Sequence, residues 1–178
     1  MLQIGVLACC PMFAAYGQTV AEYQVKAAFL FNFAKFVEWP PSVAGGGNAL
    51  QICVIGQDPF GNEFAQHVSE KVVNGHKIQV AHPENATEAK SCQILFIAVS
   101  EKRRLPDILQ ELKGTSVLTV ADIPDFARTG GIIAFVLDRD RVRFEINLKT
   151  AEDAHLRLSA RLLEVAKVVL RTDSSGAK

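Results

Sequence analysis

Three short runs of almost uninterrupted apolar residues constrain most strongly what this chain can fold into. They lie at residues 51–56, 93–99 and 116–120. A continuous apolar run is typical of a strand that is buried on both faces, as in a parallel sheet. Helix signals separate the runs, because Asp58-Pro59 predicts one helix start and Ser100 predicts another. This alternation predicts an α/β domain that has a mostly parallel sheet with helices on both faces.

The remaining segments extend this prediction. An apolar face at helical spacing, from Val25 to Val37, predicts an N-terminal helix over residues 21–37. The proline pair after Trp39 ends this helix. Further along the chain we expect a strand at residues 77–81, an antiparallel hairpin of residues 131–137 and 141–148 at one edge of the sheet, and a long final helix at residues 150–170.

Charge and organisation narrow the class of protein. The 178 residues include 19 Lys and Arg against 19 Asp and Glu, which gives a formal net charge of zero. Nucleic-acid-binding domains normally carry a basic patch or stripe, so this balance argues against that class. No internal repeat or linker is visible, so we expect one domain at residues 21–171. The polar residues 172–178 are predicted to form a disordered tail.

The N-terminal residues are predicted to lie outside this domain. No charged side chain precedes Glu22, and an apolar stretch leads to the small residues around Ala15-Tyr16-Gly17. This order is typical of a secretory signal peptide, here residues 1–17. A buried N-terminal helix or strand is the alternative. Lipid attachment at Cys9 or Cys10 is a second alternative, although Leu7 occupies a position that usually holds a small residue.

Removal of such a signal peptide would leave Cys53 and Cys92 as the cysteines of the mature chain. An even cysteine count in an exported protein is compatible with one disulfide. A bond across this separation would stabilise the fold by about 4 kcal/mol in the chain-entropy model. Two reduced cysteines that pack as small apolar residues are the alternative.

Residue types that carry catalysis or bind cofactors form no recognisable set. Gly-x-Ser-x-Gly is absent, and the four histidines are scattered along the sequence. Gly56 to Gly61 follows a predicted strand, but this segment lacks the nucleotide-binding glycine pattern and the lysine of a phosphate-binding loop. We therefore expect a non-enzymatic protein with no catalytic residue, no metal and no cofactor.

A polar face on the predicted strand 141–148 is more informative. Arg143, Glu145 and Asn147 alternate with apolar residues and therefore point to one side. Arg157 and Arg161 lie one turn apart on the predicted final helix and could face them. Arg143, Glu145, Asn147 and Arg157 are therefore our candidates for binding a ligand or a partner protein. A structural salt-bridge network is the alternative.

Several segments, taken together, resemble a known family. Residues 22–40, which read EYQVKAAFLFNFAKFVEWP, resemble the N-terminal signature of the YfiR family. The resemblance continues in order to about Leu170, through residues 52–56, 58–61, 92–97, 117–120, 130–133, 141–148 and 158–163.

The resemblance implies a periplasmic regulator from Gram-negative bacteria. Such a protein represses an inner-membrane diguanylate cyclase by binding its periplasmic region, which lowers cyclic di-GMP and biofilm formation. The resemblance also implies a homodimer, sequestration by an outer-membrane lipoprotein, and repressor activity that is linked to disulfide state. Cys53 and Cys92 match the cysteine pair that joins neighbouring strands in the family. A second pair found in some members, near residues 127–134, has no counterpart here.

A second function from another class is a periplasmic small-molecule sensor. Its ligand would bind near Arg143, Glu145, Asn147 and Arg157 and would tune a protein contact. Both hypotheses place the protein in the periplasm and give it no role on nucleic acid.

Overall fold

The computed structural model describes residues 12–44 and 49–171 of the chain. The helices in this part are α1 (Met12–Phe36), α2 (Pro41–Ala44), α3 (Gly61–Ser69), α4 (Ala86–Ala89), α5 (Leu105–Glu111), α6 (Leu148–Asp153) and α7 (Ala160–Val165). The strands are β1 (Val37–Glu38), β2 (Ala49–Ile55), β3 (Val72–Val73), β4 (His76–Ala81), β5 (Ile94–Ile97), β6 (Leu118–Ala121), β7 (Ile133–Asp138), β8 (Arg141–Asn147), β9 (Arg157–Leu158) and β10 (Val168–Leu170). The alternation of these elements confirms the predicted α/β class.

Eight of the strands form one sheet in the order β10-β8-β7-β6-β5-β2-β4-β3. Five neighbouring pairs are parallel, whereas β3–β4 and β7–β8 are antiparallel. The predicted mostly parallel sheet is therefore confirmed, and the predicted hairpin is β7–β8. The short strand β10 covers part of the outer edge of this hairpin, by pairing with Glu145 to Asn147. Outside the sheet, β1 and β9 form a separate antiparallel pair.

Alternate side chains of the central strands enter two cores. Ile52 and Val54 of β2 pack on one face with α1, α3 and α7, which we call the α1 face. Cys53 and Ile55 pack on the opposite face with α4 and α5, which we call the α5 face. Burial of both faces explains why the central strands are continuous apolar runs. It also confirms that helices cover both sides of the sheet.

The predicted long final helix is wrong. Residues 150–170 contain the end of α6, the strand β9, the helix α7 and the strand β10. His155 has a φ of 58°, which a continuing α-helix does not permit. Leu158 pairs with Val37, and Val169 pairs with Ile146. The helical spacing of apolar residues is therefore overridden by strand pairing with distant parts of the chain.

Two helix starts also differ from the prediction. The Asp58 carboxylate accepts a hydrogen bond from Phe60 N at 2.7 Å in a turn, and α3 begins only at Gly61. The Ser100 hydroxyl accepts one from Gln57 N at 2.9 Å, and α5 begins only at Leu105. These polar side chains shape the loops at the carboxyl ends of β2 and β5 instead of capping the helices.

The ends of the chain fall mostly outside the described residues. Residues 1–11 of the predicted signal peptide and the predicted tail at residues 172–178 lie there. From Met12 onward the chain is helical, so α1 begins earlier than the predicted residue 21. Within the described residues, no helix has both the length and the apolar character needed to cross a membrane.

Candidate partner-binding surface

An open groove lies on the α1 face, between the second half of α1, α7 and the edge of β8. Strand β10 pairs with Glu145 to Asn147 only, so the first residues of β8 pair with β7 on one side and have no strand on the other, outer side, where the groove lies. The groove encloses about 580 Å³. Its lining residues are Phe29, Asn32, Phe33, Phe36, Arg143, Phe144, Arg161, Leu162 and Val165. We call it the α1–α7 groove.

Packed aromatic rings form its floor. Phe33 and Phe144 are buried and meet edge to face, with ring centroids 5.3 Å apart. Phe29, one helical turn before Phe33, meets the Phe144 ring at 5.4 Å. Each such pair contributes about 0.5–1.5 kcal/mol beyond its area burial. The floor is therefore held in place before any partner arrives.

The rim of the groove is cationic and partly apolar. Arg143 and Arg161 are exposed, and Val165 is 52% exposed. No Asp or Glu is among the lining residues of this groove in the described part of the chain. An apolar floor with two arginines at its rim complements a segment that carries an apolar side chain beside carboxylates.

Two of the predicted site residues, Glu145 and Asn147, point to the same side of β8 as Arg143 but do not line the groove. Asn147 caps α6, because its side-chain oxygen accepts a hydrogen bond from Thr150 N at 3.0 Å. Its amide nitrogen also donates to the Ala127 carbonyl at 2.8 Å. Glu145 is half-buried between its sheet partners Ala134 and Val168. Asn147 therefore has a structural role at the loop before β7.

Arg157 lies elsewhere, in β9. Its Nε is 3.8 Å from a Glu38 carboxylate oxygen, and the two side chains are 87% and 72% exposed. An ion pair this exposed contributes little to stability. Arg143 and Arg161 thus line the same groove, whereas Arg157 and Asn147 do not line it.

Helix α1 contributes to this surface in a way that its sequence pattern did not predict. Phe29 and Phe36 belong to the predicted apolar face of this helix, but both are only half-buried and line the groove. The helix also carries Phe31 on another side, so its aromatic residues exceed what one core face needs. That excess is the signal that could have indicated a surface role.

A buried charge cluster fixes α1 to the sheet. Lys26 is 3% exposed, and its Nζ lies 2.7 Å from Asp122 Oδ2 and 2.5 Å from Glu22 Oε1. Tyr23 donates a hydrogen bond to the same Asp122 oxygen at 2.8 Å. Asp122 directly follows β6, so the cluster joins α1 to the carboxyl end of a central strand. The position of the groove wall therefore depends on this cluster.

Burial, together with the hydrogen bond to Asp122, raises the pKa of the Tyr23 phenol well above its ordinary value of 10.0. Above about pH 10 the unfolded chain ionises at this tyrosine while the folded chain keeps the proton. This contribution to stability is therefore present below pH 10 and is lost as the pH rises further. We expect the Tyr23→Phe variant to lose stability less steeply than the wild type in this range, as measured by urea unfolding at several pH values. Equal slopes would contradict the prediction.

A disulfide joins Cys53 of β2 to Cys92, which lies just before β5, with the Cα atoms 6.0 Å apart. Both residues are almost fully buried. The next residue, Gln93, accepts a hydrogen bond from Gln51 N at 2.7 Å through its side chain. Its carbonyl accepts one from the Trp39 indole at 3.2 Å. The bond thus lies beside a set of contacts that connects β2, β5 and the segment after α1.

No group of three or more His, Cys, Asp or Glu residues in the described part of the chain could hold a metal ion. His82 and Asp58 approach to 3.0 Å, but both lie at the surface in loops. Among the described residues, the α1–α7 groove combines an apolar floor with a cationic rim, and this combination suits a contact with another protein.

Comparison with known proteins gives two findings. A family model described as YfiR/HmsC-like matches residues 23–167. Among solved structures, the ABC domain from Streptococcus pneumonia, in complex with L-Trp, has a similar fold with a TM-score of 0.50 and 11% sequence identity. That match covers 69% of this chain and 56% of the other chain, so this chain spans little more than half of that protein. At this identity the likeness concerns the fold alone.

Proposed function

This chain belongs to the YfiR/HmsC-like family, and on that basis we propose that it is a non-enzymatic periplasmic repressor of an inner-membrane diguanylate cyclase. It would bind the periplasmic region of the cyclase and stabilise the inactive state, since a binder shifts its partner toward the state that it binds more tightly. Lower cyclic di-GMP and less biofilm would follow.

The observation that carries the proposal is the α1–α7 groove. A packed aromatic floor costs little reorganisation on binding, and buried aromatic anchors with arginines dominate the energy of many protein interfaces. Arg143 and Arg161 would meet carboxylates of the cyclase, while an apolar side chain of the cyclase would contact Phe29 and Phe36. Of the predicted site residues, Arg143 lines the groove and would contact the cyclase. Glu145 and Arg157 would act only at the border of such a contact.

The further parts of the proposal follow the family resemblance. A homodimer would present two grooves to the cyclase, and an outer-membrane lipoprotein would relieve repression by sequestering the repressor. The Cys53–Cys92 bond supports a link between repression and oxidation, since it braces the sheet that carries the groove.

Reversal of the rim charge tests the proposal. We expect Arg143→Glu with Arg161→Glu to weaken binding to the periplasmic region of the cyclase by at least about tenfold, because each arginine is lost and a like charge is introduced. Biolayer interferometry with the immobilised periplasmic region measures this. Lys77→Glu on β4, an exposed position outside the groove, is the matched control and should bind as the wild type does. Unchanged affinity of the double variant would refute the assignment of the groove.

A further inference from the structure

We propose that a second cavity, between α5 and the loop of residues 122–132, binds an amphiphilic acid with an uncharged oxygen on its chain, such as a hydroxylated fatty acid. The cavity encloses about 630 Å³ and lies on the α5 face, away from the α1–α7 groove. Small-molecule sites typically measure about 300–1,000 Å³. The inference is independent of the proposed function.

Apolar side chains form most of the cavity wall. Leu105 and Leu109 of α5 contribute together with Leu112, the residue after this helix, and Ile123 and Ile132 contribute from the opposite loop. The loop is held in place, since the Asn147 side chain binds the Ala127 carbonyl. A wall of this kind favours an aliphatic chain, because burial removes apolar surface from water on both molecules.

One buried hydroxyl faces this apolar wall. Thr119 of β6 is 5% exposed and lines the cavity. It accepts a hydrogen bond from Ile132 N at 3.1 Å, and no hydrogen bond that it donates is found among the described residues. The wall residues Thr115 and Thr129 differ, since both donate to backbone carbonyls. The Thr119 proton is therefore available to an oxygen acceptor of a ligand.

That acceptor is uncharged, since a carboxylate buried against a single hydroxyl would lose most of its hydration without compensation. The charge of the ligand belongs at the rim, where Lys102 and Lys113 are exposed. Neither lysine forms an ion pair with a residue that the structure describes. Asp153, the acidic residue of the lining, is paired with Lys149. The rim thus favours an anion, while the interior favours a chain with one polar oxygen.

Isothermal titration with 3-hydroxydecanoate and decanoate, below their micellar concentrations, tests the assignment. The protein is first freed of bound lipid. We expect one saturable site and about fivefold tighter binding of the hydroxylated acid, the value of one neutral hydrogen bond. Octanoate should bind more weakly than decanoate by about fourfold for each methylene removed.

Variants separate this site from nonspecific binding. Thr119→Val should remove the preference for the hydroxylated acid, and Thr119→Ser should keep it. Leu109→Trp, at a half-buried position, should fill the cavity and abolish binding of both acids, so the test stands even if Thr119→Val fails to fold. Lys102→Gln and Lys113→Gln should each weaken binding about threefold, whereas the control Lys77→Gln should not. No saturable binding, or a preference that persists in folded Thr119→Val, would overturn the proposal.

Discussion

Replacement of Lys26 by methionine is expected to lower the free energy of unfolding by about 3–5 kcal/mol. The Lys26 and Asp122 side chains are 4% and 10% exposed, so removal of the ammonium leaves a buried carboxylate without its counter-charge. One oxygen of Asp122 already has no hydrogen-bond partner among the described residues, which makes the loss of Lys26 more costly. Urea unfolding at neutral pH measures the change.

Two further variants make this prediction specific. Lys35→Met is the matched control, since Lys35 lies exposed on the same helix and is expected to contribute little. The double variant Lys26→Met, Asp122→Asn should recover part of the lost stability, because the uncompensated charge is removed with its partner. If Lys26→Met and Lys35→Met destabilise the protein equally, the buried cluster does not anchor α1.

The second large effect concerns the disulfide. Replacing Cys53 and Cys92 together by serine is expected to cost about 4 kcal/mol, since the sequence separation of 39 residues sets the entropy of the closed loop. For a domain of this size, the melting temperature should fall by about 8–16 °C. If repression depends on the braced sheet, binding to the cyclase should weaken in the same variant.

Reduction of the wild type provides the control for this prediction. Dithiothreitol should lower the melting temperature of the wild type toward that of the double variant, and it should leave the double variant unchanged. Trp39 is the single tryptophan, and its indole donates to the residue after Cys92. Its fluorescence should therefore change on reduction of the wild type only. Equal melting of the oxidised and reduced wild type would show that the bond does not hold the fold together.

The central sheet could be predicted from the sequence because its signal is local. Strands β2, β5 and β6 are buried on both faces, and a strand in that environment is apolar at nearly every position, with Gln51 and Thr119 as the exceptions here. The hairpin β7–β8 was predictable for a similar reason, since two residues between the strands fix its register. Family membership was also recognisable, because residues 22–40 form a specific local motif.

The candidate site was harder to predict, because its parts meet only in the folded protein. Arg143 and Arg161 share the α1–α7 groove, while the similarly placed Arg157 pairs with Glu38 on β1. A helical interpretation of residues 150–170 put Arg157 and Arg161 on one face. The break at His155 and the pairing of β9 with β1 separate them.

The sequence by itself determined the class of fold, the order of the central strands along the chain and the family. Each of these depends on patterns within a few consecutive residues, where burial on one or both faces dictates which side chains are tolerated. Only the tertiary structure decided which helices and strands residues 150–170 form and which residues line the groove. Those outcomes depend on strand pairings and charge contacts across up to about a hundred residues, such as Lys26 with Asp122, and no local pattern specifies such partners.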